Sequence, residues 1–197
     1  TPEELDRKNR AVFGRTWGES WEDNANGSKS LTNFGSRGFG SFYAGIDSAT
    51  VTKRNREKTS LMANVIEKMA AELACQIVLE DFSRPQDERK IFTAVEKTTD
   101  PKARAISDQM EALYLRATGD SPSNDIKSRL LETFVDYATL SSNQGGPRFD
   151  GQCKTWEIWG YETDEERDLH WSDPTAGMRA WTLILRALMA SYPYLHG

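Results

Sequence analysis

Thr59-Ser60-Leu61-Met62-Ala63-Asn64-Val65-Ile66-Glu67-Lys68-Met69-Ala70-Ala71-Glu72-Leu73-Ala74-Cys75-Gln76-Ile77-Val78-Leu79-Glu80-Asp81-Phe82, followed by Ser83-Arg84-Pro85, is the stretch that decides the fold. Leu61, Met62, Val65, Ile66, Met69, Leu73, Ile77 and Val78 recur at intervals of three and four, the stripe of a helix that buries one face. The helix must stop near Phe82, because Pro85 disfavours helical backbone at Arg84. A partner surface is therefore required, and the rest of the chain has to supply it.

Downstream, the pattern supplies more helices. Pro85, with Asp87 and Glu88 behind it, predicts a second helix to about Val95. Asp100-Pro101 predicts a third to about Thr118, with Ile106, Met110, Leu113 and Tyr114 inward and Gly119 as its stop. Ser123 is placed to cap a fourth carrying Ile126, Leu130, Leu131, Phe134 and Tyr137, ending before the Ser/Asn/Gly/Pro cluster at 141–147. A last helix from about Asp173 to Ser191 sets Trp181, Ile184, Leu185, Leu188 and Met189 on one side. Between them Trp156, Ile158 and Tyr161 sit where a short strand would alternate.

Upstream, Thr1-Pro2-Glu3-Glu4 predicts a short helix to about Val12: a capping hydroxyl, a proline in the first turn, then acids. From Asn24 to Ile46 the composition turns to Gly, Ser, Asn and aromatics, which predicts a long loop with at most a short strand. Trp17, Trp21, Phe34, Phe39, Phe42 and Tyr43 would lay this segment on the helical body. The expected architecture is mainly α: a body of about five helices over 59–197 and an N-terminal wrapping segment over 1–58, in one domain overall.

Composition narrows the function classes. Acidic side chains outnumber basic ones 30 to 25, for a net charge of -5, and no basic stripe offsets this, which argues against a nucleic-acid partner. No apolar run reaches the roughly 20 residues that span a bilayer. The chain starts at Thr1 with no leader ahead of it, so removal of a signal peptide, a lipid-anchored segment or a trimmed stretch is expected. Cys75 and Cys153 are the two cysteines, and two readings stay open: a disulfide suited to an oxidising compartment, or a buried thiol at a core position of the long helix.

No arrangement of side chains announces a reaction. Glu22, Asn24 and Asn26 alternate before Gly27 as ligands do in an EF-hand, but Asn33 stands where a bidentate glutamate belongs, so an Asx-rich turn is the simpler reading and calcium the weaker one. His170 and His196 stand in no ligand spacing with each other or with the cysteines. Glu162, Asp164, Glu165, Glu166 and Asp168 beside Trp156, Trp159 and Tyr161 suit a carbohydrate-binding or hydrolytic cleft over 156–171, and equally a solvated helix start after Thr163. Gly35, Gly38 and Gly40 fit no phosphate-binding spacing, and Lys53, Arg54, Arg56 and Lys58 read as a solvated approach to the long helix. No catalytic residue and no cofactor is assigned.

Two separated segments carry a family resemblance. Ala74 to Pro85 followed by Asp87-Glu88-Arg89, and the closing run Arg179 to Leu195 with its Ser191-Tyr192-Pro193-Tyr194-Leu195 tail, resemble segments of the cytochrome-associated, planctomycete-type extracytoplasmic proteins (the DUF1592-like group). Tyr43 to Ser48 and Arg54-Asn55-Arg56 resemble further segments of its relatives. Ser83 stands where that group tends to have arginine, and the chain has no Cys-x-x-Cys-His haem-attachment motif. The resemblance implies an envelope location, periplasmic or otherwise extracytoplasmic, and association with membrane electron-transfer or surface assemblies, so a protein partner such as a membrane redox complex or c-type cytochrome is expected; a membrane anchor in a missing N-terminal segment is a separate expectation. It carries over no catalytic residue. The expected function is a non-catalytic accessory or interaction subunit, with Phe39, Phe42, Tyr43, Trp156 and Trp159 as interface anchors. A carbohydrate-binding or hydrolytic module and a calcium-stabilised structural domain are the alternatives.

Overall fold

The computed structural model describes residues 1–18, 20–24, 27–31, 59–144, 149 and 171–196. These residues are mainly helical. In chain order they form α1 (Pro2–Phe13), β1 (Ser20–Asn24), β2 (Gly27–Leu31), α2 (Ser60–Phe82), a 3-10 turn (Gln86–Glu88), α3 (Arg104–Thr118), α4 (Asn124–Gln144), α5 (Gly177–Met189) and α6 (Tyr192–His196). Contacts divide the chain into two units, Thr1–Leu73 and Ala74–Gly197, and the division falls inside α2.

In the first unit, α1 starts as the sequence predicts. The Thr1 hydroxyl accepts the Glu4 N–H at 3.2 Å, and the Glu4 carboxylate reaches back to the Thr1 nitrogen, a complete capping box. Gly14 ends the helix at φ 76°, where its N–H reaches the Arg10 carbonyl; a residue with a Cβ would be strained there. Trp17 is fully buried, and its indole N–H donates to Glu72 Oε2 at 2.8 Å, fixing the chain after α1 to the first part of α2. Asn9, also fully buried, donates to Met69 Sδ at 3.4 Å. β1 and β2 pair antiparallel, Glu22 opposite Lys29 and Asn24 opposite Gly27, so this part of the expected long loop is a hairpin.

The Thr59 hydroxyl caps α2 by accepting the Met62 N–H at 3.1 Å. The helix runs to Phe82 as expected, and its buried face widens along its length. Leu61 is 48% exposed, whereas from Met69 onward Ala70, Leu73, Ala74, Cys75, Ile77, Val78, Leu79 and Phe82 are all buried. Glu72, Gln76 and Glu80 keep a half-buried polar edge at intervals of four, so the helix buries one broad face, as the spacing predicts, and Leu61 is the stripe residue that stays exposed.

In the second unit α3, α4, α5 and α6 pack together, with α5 against α4 as the most extensive pairing. Trp181 on α5 is the centre: its ring lies 4.6 Å from Phe134 on α4 and 5.3 Å from Phe92, which stacks on Phe82 at 4.7 Å. The inner face predicted for α5 is buried throughout, from Trp181 to Met189, and Met178 joins it. On α4, by contrast, Phe134 and Ala138 are buried while Ile126, Leu130, Leu131 and Tyr137 are half-buried.

Several boundaries differ from expectation. The second helix is only the 3-10 turn Gln86–Glu88, and residues 89–99 carry no helix. Side chains of Asp81, Arg89 and Gln109 take over their backbone groups. The last helix begins at Gly177, not Asp173, because Ala176 sits at φ 56°, outside the right-handed region, and sets the chain at a sharp angle into α5. α4 also runs through Ser141, Ser142 and Asn143, further than the polar composition suggests.

Candidate functional site

The second unit holds its buried charges in two clusters, and both act on backbone. Asp81, 5% exposed at the end of α2, receives the N–H groups of Lys90 (2.9 Å), Ile91 (3.1 Å) and Phe92 (2.8 Å). Arg89 donates to the carbonyls of Arg84 (3.0 Å) and Val95 (2.8 Å), pairs with Glu96 at 2.8 Å, and lies 5.0 Å over the Phe82 ring. Gln109, buried on α3, accepts from Ala94 N and donates to the Ile91 carbonyl at 2.8 Å. These bonds replace the helical ladder that residues 89–95 would otherwise need, since a buried N–H or C=O must find a partner somewhere.

The second cluster surrounds the start of α5. Asp173 is fully buried; its carboxylate accepts from Met178 N (2.9 Å), Arg179 N (3.2 Å) and Arg179 Nε (2.9 Å). Arg179 Nη1 continues to the Ser141 carbonyl on α4 at 3.2 Å. Nearby, the Thr175 hydroxyl donates to the Lys97 carbonyl at 2.8 Å, which ties the loop before α3 to the loop before α5. Burial pushes the Lys97 ammonium below the usual lysine range and the Arg89 charge adds to this, while Asp173 and Glu96 oppose it.

In front of this cluster opens a cleft of about 490 Å³. Its walls are Thr98, Asp100 and Pro101 from the loop before α3, Ala138, Thr139, Ser142 and Asn143 from the last turns of α4, and Thr175. The loop wall is locked: Glu96 N donates to Thr99 Oγ1 at 2.7 Å, and Lys102 N to Asp100 Oδ1 at 2.8 Å. The arrangement offers hydroxyl, amide and carboxylate oxygens on a firm frame. Among the described residues, no group of three or more His, Cys, Asp or Glu side chains is placed to hold a metal ion.

The residues singled out from sequence fall elsewhere. Phe39, Phe42, Tyr43, Cys153, Trp156, Trp159, Asn26, the acids from Glu162 to Asp168, and His170 all lie outside the described residues. Glu22 and Asn24 occupy alternate positions of β1, and His196 closes α6. Cys75 is 2% exposed and disulfide-bonded. Sequence reasoning missed Asp81, Arg89, Gln109, Asp173 and Arg179. The available signal was a polar residue inside an apolar helical run, as in Leu79-Glu80-Asp81-Phe82 and Met178-Arg179-Ala180-Trp181.

The chain matches no known family model, no curated protein and no solved structure.

Proposed function

We propose that the chain is a non-catalytic, extracytoplasmic accessory or interaction subunit that docks on a membrane electron-transfer assembly. The observation that carries the first half of this reading is how the buried ionisable groups are used. Asp81, Arg89 and Asp173 each hold two or three backbone groups. Saturated in this way, they fix loops and helix starts; a general acid or base would instead point a proton-accepting atom at a substrate. The disulfide at Cys75 supports an oxidising compartment. No helix among the described residues is long and apolar enough to cross a membrane. Contact with a membrane assembly would therefore be made by a docking surface, with Phe39, Phe42, Tyr43, Trp156 and Trp159 as anchors.

The choice of partner, a c-type cytochrome or another redox protein, rests on the resemblance of the segments 74–89 and 179–195. The test is purification of the tagged chain from its own host in mild detergent, with mass spectrometry and an absorption spectrum of what accompanies it. Stoichiometric recovery of a haem-absorbing partner supports the reading. A colourless protein recovered alone from an extracytoplasmic fraction overturns it.

A further inference from the structure

Phe149 and Trp171, far apart in sequence, are joined by a backbone hydrogen bond in which the Phe149 N–H donates to the Trp171 carbonyl at 2.7 Å. Phe149 is 3% exposed, so its ring is seated inside the unit. A second tie spans the same two stretches of chain. Arg179 Nε donates to Asp173 Oδ2 at 2.9 Å and Nη2 to the Asp173 carbonyl at 3.4 Å, while Nη1 donates to the Ser141 carbonyl of α4 at 3.2 Å. One side chain thus holds the chain ahead of Phe149 and the chain behind Trp171.

The chemistry of this tie needs arginine. The last four carbonyls of a helix have no partner within it, and because α4 ends at Gln144 the Ser141 carbonyl is one of them. The planar guanidinium serves that carbonyl and the Asp173 carboxylate at once from different nitrogens, which a lysine ammonium with its single nitrogen does not do. This explains why α4 runs on through Ser141, Ser142 and Asn143. Both partners of the ion pair are buried, with side chains 8% and 0% exposed, so neither water nor salt competes for it.

The far side of the tie is braced as well. Asp173 accepts from Met178 N and Arg179 N, and between them Ala176 keeps φ 56°, a conformation that persists for a residue with a Cβ only where its surroundings over-determine it. Loss of the Arg179 fork would therefore be felt on α4 and ahead of α5 together.

We infer that the Arg179 tie and the Phe149 tie form one clasp, a conformational device that opens as a unit and sets the base from which residues 150–170 leave the helical body. Arg179 and Phe149 are then positioning residues for Trp156 and Trp159. That last step rests on the docking reading; the clasp itself does not.

The experiment is amide hydrogen exchange by NMR on the full isotope-labelled chain and its Arg179→Lys and Phe149→Ala variants, followed by benzoylphenylalanine crosslinking in the native host. Each variant is expected to speed exchange at the tie it does not touch: Arg179→Lys at the residue 149 amide, Phe149→Ala at Ser142 and Asn143. The expected rise is about tenfold, the effect of losing one charge-assisted hydrogen bond, with the amides of Leu113 and Ile184 unchanged. In both variants adducts at positions 156 and 159 should fall while those at 39, 42 and 43 persist. If Arg179→Lys exchanges everywhere, Phe149→Ala decides by the same amides. Exchange confined to the substituted tie in both variants overturns the clasp, whatever the crosslinks show. A coupled rise with unaltered adducts at 156 and 159 overturns the positioning role. A parent chain with no adducts at all refutes the docking reading and the positioning role with it, while the exchange result still judges the clasp.

Discussion

The carboxylate of Asp81 accepts the backbone N–H of Phe92 at 2.8 Å, eleven residues further along the chain. Through this contact the end of α2 dictates where the Phe92 ring lies, and so where Trp181 of α5 can pack against it. A charged group at the end of one helix thereby organises the aromatic centre of the unit.

Asp81→Ala removes the acceptor of three buried or half-buried N–H groups. The cost is expected to be about 3 kcal/mol or more, since each orphaned donor loses its partner and regains no water. Urea unfolding followed by tryptophan fluorescence measures it. A change within about 0.5 kcal/mol, the range of an ordinary surface substitution, would show that residues 89–95 are held by something else.

Trp181→Ala empties the space between Phe92 and Phe134. The expected loss is about 3 to 5 kcal/mol. Trp181→Phe, which keeps an aromatic contact on both sides, should cost distinctly less. Equal losses for the two variants would contradict the aromatic stacking as the source of the stability.

Tyr194 is fully buried in α6, and burial pushes its phenol above the usual tyrosine range. The native state thus holds this proton more tightly than the unfolded chain does. Its contribution to stability is complete below the unfolded value of about 10 and is lost as the pH rises beyond it. Ultraviolet titration should find one tyrosine that ionises only together with alkaline unfolding, and Tyr194→Phe should remove that step.

Lys97 runs the other way. Its folded value lies below the unfolded one, so the cost of burying its charge is fully present at neutral pH and is relieved as the pH climbs through the lysine range. Competitive acylation across pH, read by peptide mass spectrometry, should give Lys97 a half-point below the ordinary value of about 10.4. A half-point at or above that value would contradict its burial beside Arg89.

The sequence made the helices legible because their signals are local and redundant. Thr1 with Glu4, Ser123 and Gly119 mark termini by chemistry that acts within one turn, and each is found in that role. The second helix was misread for the opposite reason. Pro85, Asp87 and Glu88 are sound helix-start residues, but Asp81, Arg89 and Gln109 offer the following backbone better partners, and Gln109 is eighteen positions from the Ile91 carbonyl to which its amide donates. Contacts at such a separation leave no periodicity to read. The cleft was invisible on the same account: Thr98, Thr139 and Thr175 are unremarkable singly, and only the ties through Lys97, Ser141 and Arg179 bring them to one place. The long helix was legible in the same way, since spacing predicts its buried face, though not how far that face widens from Met69 onward.

If the chain acts by docking, as proposed, photocrosslinking in the native host reads the contact directly. A benzoylphenylalanine is placed in turn at Phe39, Phe42, Tyr43, Trp156 and Trp159, with the exposed Leu140 on α4 as the control. Docking predicts one adduct of discrete mass at several of the aromatic positions and none at Leu140, with a redox protein of the membrane as the captured partner. Adducts absent at all five positions, while the protein is folded and present at normal level, would contradict it.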